Sequence, residues 1–165
     1  LESRGFTRGR ESIIMRADLS EELPPLPKRF IAILQDCDRR ESVRRPEETW
    51  FDQVFRGWTL TESQLFVPYL REPVTRAVYV PMHELSAWRG VNTYGVFAVN
   101  THQPSRGRGW ATAHFRILRN VIRAQGAEKL ELHVYSDNHA AVKLYEKSGF
   151  HEIKRTAMFR LDLRP

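Results

Sequence analysis

The sequence predicts a single domain of the α+β or α/β class, built on a mixed β-sheet. The length of 165 residues fits one domain with a sizeable core. Hydrophobic residues make up 41% and charged residues 28%, as in an ordinary globular protein. The hydrophobic period switches repeatedly between helical and strand spacing. The predicted order is strand, two helices, three strands, helix, strand, helix and two strands.

The N-terminal residues 1–11 are polar and rich in arginine, and we expect them to form a tail before one domain at residues 12–165. This tail lacks the apolar stretch of a secretory signal. No run approaches the ~20 apolar residues of a membrane span, so we expect no membrane association. The single cysteine, Cys37, excludes an internal disulfide and suits a reducing compartment, which favours the cytoplasm.

The net charge of +6 is compatible with nucleic acid, a membrane surface or an anionic small ligand. The region from Thr101 to Ala127 contains five arginines and no acidic residue. Elsewhere the basic and acidic residues are mostly interleaved. Any anion-binding function is therefore expected in this region.

The N-terminal half is predicted to contain a strand at Ser12–Arg16 and then two helices. Prolines open the first helix, whose apolar positions have helical spacing: Phe30, Ile31, Ile33, Leu34 and Cys37. A charged connection, residues 39–45, leads to a second helix beginning at Pro46. Its predicted buried stripe is Trp50, Phe51, Val54, Phe55 and Trp58.

The remaining elements follow from strand and helix periodicity. We predict strands at Gln64–Leu70, Thr75–Leu85, Thr93–Val99 and around Leu130–Val134, and two terminal strands near Phe150–Lys154 and Ala157–Leu163. A long helix follows Gly109 and stops at Gly126, and a short helix spans Ala140–Ser148. On the long helix, Arg116, Arg119 and Arg123 share one face, which is expected to be solvated.

A turn rich in glycine and arginine precedes the long helix, with the sequence Arg106-Gly107-Arg108-Gly109-Trp110-Ala111-Thr112. Its glycines allow successive N–H groups to point into one concavity, and the helix N-terminus adds further donors. This pattern predicts a phosphate site, and a simple strand–helix turn is the alternative. A P-loop is excluded because Gly-Lys-Ser/Thr is missing, and a dinucleotide fingerprint fits poorly.

A second motif begins about twenty residues after the turn and combines a strand, a cap, a short helix and a glycine stop. It reads Leu130-x-Leu132-x-Val134-x-x-x-Asn138-x-x-Ala141-x-x-Leu144-Tyr145-Glu146-Lys147-x-Gly149-Phe150. Together with the turn it resembles the GNAT superfamily of acyl-CoA N-acyltransferases. The resemblance covers about Tyr94 to Leu163, a little under half the chain. It implies a mixed, mostly antiparallel sheet of about six to seven strands with about four helices.

The resemblance also implies residue roles. Backbone amides from Arg106 through Thr112, including Gly107, Arg108, Gly109, Trp110 and Ala111, would hold the pyrophosphate of acetyl-CoA. The strand ending at Val99 would pair with the pantetheine arm, and Asn138 would contact the cofactor. Tyr145 would sit beside the thioester sulfur and protonate the leaving thiolate.

Two features leave details of this site open. The approach from Asn100 to Ser105 is about two residues longer than is typical of the family, so Phe97, Val99 and Thr101 all remain candidates to face the thioester. No general base is evident on Thr93–Val99. Glu84, His83 and His133 are the candidates, each with the alternative of a merely structural polar residue, and a neutral amine or a water chain would also serve.

The leading hypothesis is an acetyl-CoA-dependent N-acetyltransferase acting on a small-molecule or peptide amine. The alternatives are a non-catalytic acyl-CoA-binding module and, less favoured because it lacks a recognised motif, a nucleic-acid-binding protein. Relatives often form homodimers, so a homodimer is possible. The histidines have no metal-ligand spacing, so no metal is expected.

Overall fold

The computed structural model of this protein describes residues 6–24, 26, 31–36, 58–68 and 70–161. These residues form one seven-stranded sheet and three α-helices. The strands are β1 (Phe6–Asp18), β2 (Ile31–Asp36), β3 (Thr61–Phe66), β4 (Thr75–Pro81), β5 (Thr93–Thr101), β6 (Lys129–Tyr135) and β7 (His151–Leu161). The helices are α1 (His83–Arg89), α2 (Trp110–Ala124) and α3 (His139–Lys147).

The strands lie in the order β2-β3-β4-β5-β6-β1-β7. Five of the six pairs in this sheet are antiparallel, and β5 with β6 forms the parallel pair. A parallel pair needs a crossover connection, and α2 supplies it here. The prediction of a mixed, mostly antiparallel sheet of six to seven strands is confirmed.

Strand β1 lies between β6 and β7, although it comes first in the chain. Its second half pairs with both neighbours, whereas the first half, Phe6–Glu11, pairs with β7 alone. The predicted strand at Ser12–Arg16 is therefore confirmed but extends further, and the expectation of a tail is wrong from Phe6 onward. The prediction failed because this half of the strand is polar and largely exposed to solvent, as a tail would be.

The first predicted helix is also wrong where it is described, because Ile31–Asp36 forms β2 against β3. A short apolar run fits helix and strand spacing equally well, and here pairing with β3 decides. The second predicted helix lies outside the described residues, except for Trp58. That residue packs against a small apolar cluster that includes Leu60, Val78 and Phe97.

Several other elements begin or end at residues different from those predicted. The strand predicted at Thr75–Leu85 stops at Pro81, and α1 follows, which the sequence did not predict. The strand predicted at Gln64–Leu70 instead occupies Thr61–Phe66. The two predicted C-terminal strands are a single strand, β7. The long and short helices of the two motifs appear within a residue or two of their predicted bounds.

The main core lies between the sheet and the helices α2 and α3. Helix α2 contributes Phe115, Leu118 and Ile122, which recur at helical spacing and are almost fully buried. The strands contribute alternate residues, because successive side chains point to opposite faces. Those buried in this core on β1 and β6 are Ile13, Met15, Ala17, Leu130, Leu132 and Val134.

Candidate active site

The strands β5 and β6 separate partway along their length. Their parallel pairing runs from Thr93 opposite Lys129 to Val96 opposite Leu132, and it ends there. Beyond that point β5 continues with β4 as far as Thr101, while β6 continues with β1 as far as Tyr135. The sheet therefore opens between residues 97–101 and residues 133–135, and the inner edge of β5 is available to another extended chain.

A bulge lies on β5 where this opening begins. Val78 of β4 pairs with Phe97 and Arg76 pairs with Asn100, so two residues of β5 face one residue of β4. Ala98 is the extra residue and has a φ of 49°, the left-handed region that non-glycine residues rarely adopt. The bulge brings Val99 onto the main core with the helices.

Phe97 points to the other side of the sheet. Its ring lies over Gly95, where an added Cβ would come within 2.8 Å of the ring atoms. It packs there with the small cluster of Leu60, Val78 and Val80. Of the residues left open from the sequence, Val99 thus shares the face of α2 and Phe97 does not.

The glycine turn has the backbone conformation that its sequence predicts. Gly107 has a φ of 74° and Gly109 a φ of 78°, and a Cβ on either would meet only open space. Gly109 caps α2, whose first turn carries no acidic residue and no side-chain cap. The first helical hydrogen bond runs from the N–H of Ala113 to the carbonyl of Gly109, at 3.0 Å. The preceding N–H groups have no acceptor within the helix, so the turn is suited to an anion.

The approach to this turn is a short 3-10 helix, Gln103–Ser105, which accounts for the extra length of the segment. The N–H of His102 donates to the carbonyl of Val74 (3.0 Å), which joins the segment to the start of β4. Arg106 donates from Nε to the carbonyl of Thr101 (3.2 Å). The turn is therefore tied to the end of β5 next to the opening.

The second motif forms β6 and α3. Asn138 caps α3 by accepting a hydrogen bond from the N–H of Ala141 at 3.2 Å. Tyr145 is 7% exposed and belongs to the same core as Val96. Burial raises the pKa of Tyr145 to about 12, so its phenol stays protonated at neutral pH. The predicted residues Val99 and Tyr145 thus contact one core, to which α2 also contributes.

Of the three candidate bases, His83 and Glu84 lie away from the opening, whereas His133 borders it on β6. His133 is exposed and points away from the core that holds its neighbours Leu132 and Val134. His83 and Glu84 are exposed in the first turn of α1, which precedes β5, whereas the glycine turn follows the other end of that strand. A buried carboxylate, Glu131, does lie on β6, but both Arg16 and Arg89 form ion pairs with it.

One buried polar group was not singled out from the sequence. His114 of α2 is 3% exposed, and its Nε2 and Nδ1 form hydrogen bonds with Ser63 Oγ (2.7 Å) and Thr75 Oγ1 (2.5 Å). Burial lowers its pKa to about 4, so the ring is neutral and uses one nitrogen as donor and the other as acceptor. This network joins the second turn of α2 to β3 and β4. The three residues are far apart in the sequence, so no spacing could reveal it.

Two further observations concern the part of the chain that the structure describes. No three histidine, cysteine, aspartate or glutamate side chains there come together in a group able to hold a metal ion. None of the helices within those residues is both long and apolar enough to cross a membrane.

Curated proteins similar to this chain include two from Bacillus subtilis strain 168. The uncharacterized N-acetyltransferase YycN is 39% identical over 57 residues, which are 34% of this chain and 36% of that protein. The uncharacterized N-acetyltransferase YdgE is 36% identical over 55 residues, 33% of this chain and 35% of that protein. The matched regions thus span about a third of each relative.

A solved structure with a similar fold is a GCN5-related N-acetyltransferase from Sphaerobacter thermophilus. Its TM-score is 0.68 and its identity 21%, over 99% of this chain and 55% of that protein. The chain therefore spans about half the length of this structure. The Acetyltransferase (GNAT) family matches residues 28–150, which include the opening, the glycine turn and Tyr145. This chain belongs to the GNAT acetyltransferase family.

Proposed function

We propose that this chain transfers an acetyl group from acetyl-CoA to a primary amine of a small molecule or peptide. The observation that carries the proposal is the opening between β5 and β6, with the two-glycine turn following β5 after a short 3-10 helix. The opening offers an edge of β5 beside which no described strand lies, and the turn offers the N–H groups at the start of α2, which have no acceptor within the helix. Together they match a ligand that has an extended amide arm and a diphosphate.

The turn from Arg106 to Thr112 fits the diphosphate. Its two glycines leave open space where side chains would otherwise stand, and no acidic residue lies in the first turn of α2. Backbone N–H groups and the positive end of the helix dipole would hold the negative charge. Arg106 and Arg108 are exposed and would add long-range attraction.

The inner edge of β5 fits the pantetheine arm. Beyond Val96 this edge has no partner strand among the described residues. An extended arm with two amides would add to the strand as a further strand does. The bulge at Ala98 lies where the opening begins, and a backbone N–H of this segment would stabilise the oxyanion.

Tyr145 is proposed as the acid. Because its pKa is raised to about 12, the phenol keeps its proton and can donate it to the departing sulfur. Asn138 uses its side-chain oxygen to cap α3, which leaves its amide NH₂ to donate to the cofactor.

Acetyl-CoA supplies an acyl group that is already activated, so alignment of the two reactants would provide most of the rate. The amine would attack the thioester carbonyl as a neutral species. With His133 and Glu84 placed away from Tyr145, we expect the amine to arrive deprotonated or to lose its proton through water.

The proposal extends to the location of the reaction, the oligomeric state and the binding partners. We expect the reaction in the cytoplasm, in a monomer or a homodimer, without a metal and without nucleic acid. Residues 39–45, predicted to form a charged connection, lie outside the described residues.

The test combines binding and turnover. Isothermal calorimetry should show acetyl-CoA binding to the wild type and none to Gly109→Glu, which places bulk and negative charge in the turn. Gly90→Glu is the matched control, since Gly90 also has a positive φ but lies at the end of α1. Unchanged affinity in Gly109→Glu would contradict the assignment of the turn.

Mass spectrometry with polyamines, amino acids, aminoglycosides and peptides would then identify the acceptor class. Binding of acetyl-CoA without acetylation of any amine would favour the non-catalytic acyl-CoA-binding module instead.

A further inference from the structure

Arg119 of α2 connects three elements of the fold. Its Nη1 donates to the carbonyl of Ser148 at 2.9 Å, and its Nη2 donates to the carbonyl of Asp18 at 2.7 Å. Ser148 is the C-cap residue of α3, and Asp18 is the last residue of β1. Arg119 is therefore half-buried, rather than fully solvated as the sequence predicted.

Gly149 makes room for this guanidinium. A Cβ at residue 149 would lie 2.5 Å from Nη1 of Arg119, and the φ of 84° is itself one that favours glycine. The glycine that ends α3 thus allows both the turn and the approach of Arg119.

These surroundings destabilise the charged side chain of Arg119, which indicates that the residue has a positioning role. Burial lowers the pKa of Arg119, although a guanidinium stays charged. Its Nε is buried and has no hydrogen-bond partner within the described residues. Its two bonds go to carbonyl groups, one of them at the negative end of α3, where a cation is favoured.

The hydrogen bond from Arg119 to Ser148 is linked to the backbone of Tyr145. The carbonyl of Tyr145 accepts hydrogen bonds from the N–H groups of Ser148 (2.9 Å) and Phe150 (3.0 Å). Arg119 therefore holds the turn that closes on the backbone of Tyr145. One turn earlier on α2, Phe115 contacts the ring of Tyr145.

We infer that Arg119 is a positioning residue that sets the place of Tyr145 relative to the cofactor-binding turn on α2. The inference rests on the proposed function for the chemical role of Tyr145. Arg119 itself lies two and a half turns from the start of α2 and touches no reacting group.

The first test is independent of catalysis. With ¹³C-labelled tyrosine, the ring signal of Tyr145 is assigned by its loss in Tyr145→Phe. Arg119→Met should shift this signal, whereas Arg116→Met should not, because Arg116 is an arginine of the same helix that donates to the carbonyl of Pro24 instead. An unchanged Tyr145 signal in Arg119→Met would overturn the inference.

Arg119→Lys keeps the charge and a single donor, so it serves if the methionine variant does not fold. A signal between those of the wild type and Arg119→Met is expected. If Arg119→Met is unfolded and the Tyr145 signal of Arg119→Lys equals that of the wild type, the inference is also overturned. The paired geometry of the guanidinium would then be unnecessary.

The second test is a double-mutant cycle in turnover. Arg119→Met should lower kcat by roughly tenfold, with the Kd for acetyl-CoA changed by less than about twofold. In the Tyr145→Phe background the same change should have no further effect. Equal losses in both backgrounds would argue for a general structural role. If Tyr145→Phe keeps full turnover, the proposed acid is wrong, and the ring signal alone decides the positioning.

Discussion

The ring of Phe115 meets the ring of Tyr145 edge to face, with centroids 5.5 Å apart and an interplanar angle of 81°. Phe115 lies on α2, in the turn after the proposed cofactor-binding segment, and Tyr145 lies on α3. Phe150 completes the cluster, with its centroid 5.6 Å from that of Phe115. The two halves of the proposed site are thus joined by direct aromatic packing.

Tyr145→Phe should lower kcat by roughly a hundredfold, because it removes the proton donor and leaves the ring in place. The Kd for acetyl-CoA and the melting temperature should remain near those of the wild type. Thiol release and calorimetry measure the two quantities. Wild-type turnover in this variant would mean that another group protonates the leaving sulfur.

Phe115→Ala should reduce the free energy of unfolding by about 3–5 kcal/mol, because the ring is almost fully buried between α2 and α3. Trp88→Ala is a suitable control, since Trp88 is 79% exposed and its loss should change stability by no more than about 0.5 kcal/mol. Urea denaturation checks both variants. A cost near that of the control would show that the aromatic cluster is not tightly packed.

Ala98→Val should destabilise the protein by about 1–3 kcal/mol, because a β-branched residue at a φ of 49° is strained. Ala98→Gly should be nearly neutral, since relief of strain offsets the entropy lost by glycine on folding. Thermal unfolding distinguishes them. Equal stability of the two variants would mean that the bulge relaxes without cost.

His114 should make stability depend on pH. Its pKa of about 4 in the folded protein lies below its ordinary value of 6.5, so the unfolded chain takes up a proton first as the pH falls. The stabilisation is fully present above pH 6.5 and is lost as the pH falls toward 4. The shift corresponds to about 3 kcal/mol.

His114→Gln keeps a donor and an acceptor but removes the titration, so it should lose less stability than the wild type between pH 7 and pH 4. Denaturant unfolding at several pH values measures this difference. His133→Gln, at an exposed position, should lose as much as the wild type. An identical pH dependence in all three proteins would rule out a buried neutral histidine.

The local sequence was enough to predict the parts of the site that lie within one stretch of chain. The turn from Gly107 to Gly109, the start of α2 and the cap at Asn138 follow from glycine conformation and helix capping, which depend on a few neighbouring residues. The alternation of Leu130, Leu132 and Val134 likewise predicted β6 and its buried face.

The predictions were wrong where contacts with distant segments determine the local structure. Ile31–Asp36 became a strand because β3 offers it an edge, and Phe6–Glu11 joined β1 because β7 extends beside it. Arg119 was expected in solvent, yet the ends of β1 and α3 place two carbonyl groups within its reach.

The sequence by itself thus determined the glycine turn before α2, the helix that carries Tyr145 and the family to which both are similar. Only the tertiary structure decided the place of β1 between β6 and β7, the bulge that brings Val99 to the helix side, and the network of His114. Each of these depends on contacts between segments far apart in the chain. Local propensity is a weak guide there, because pairing and burial with the partner contribute more than the preference of either segment alone.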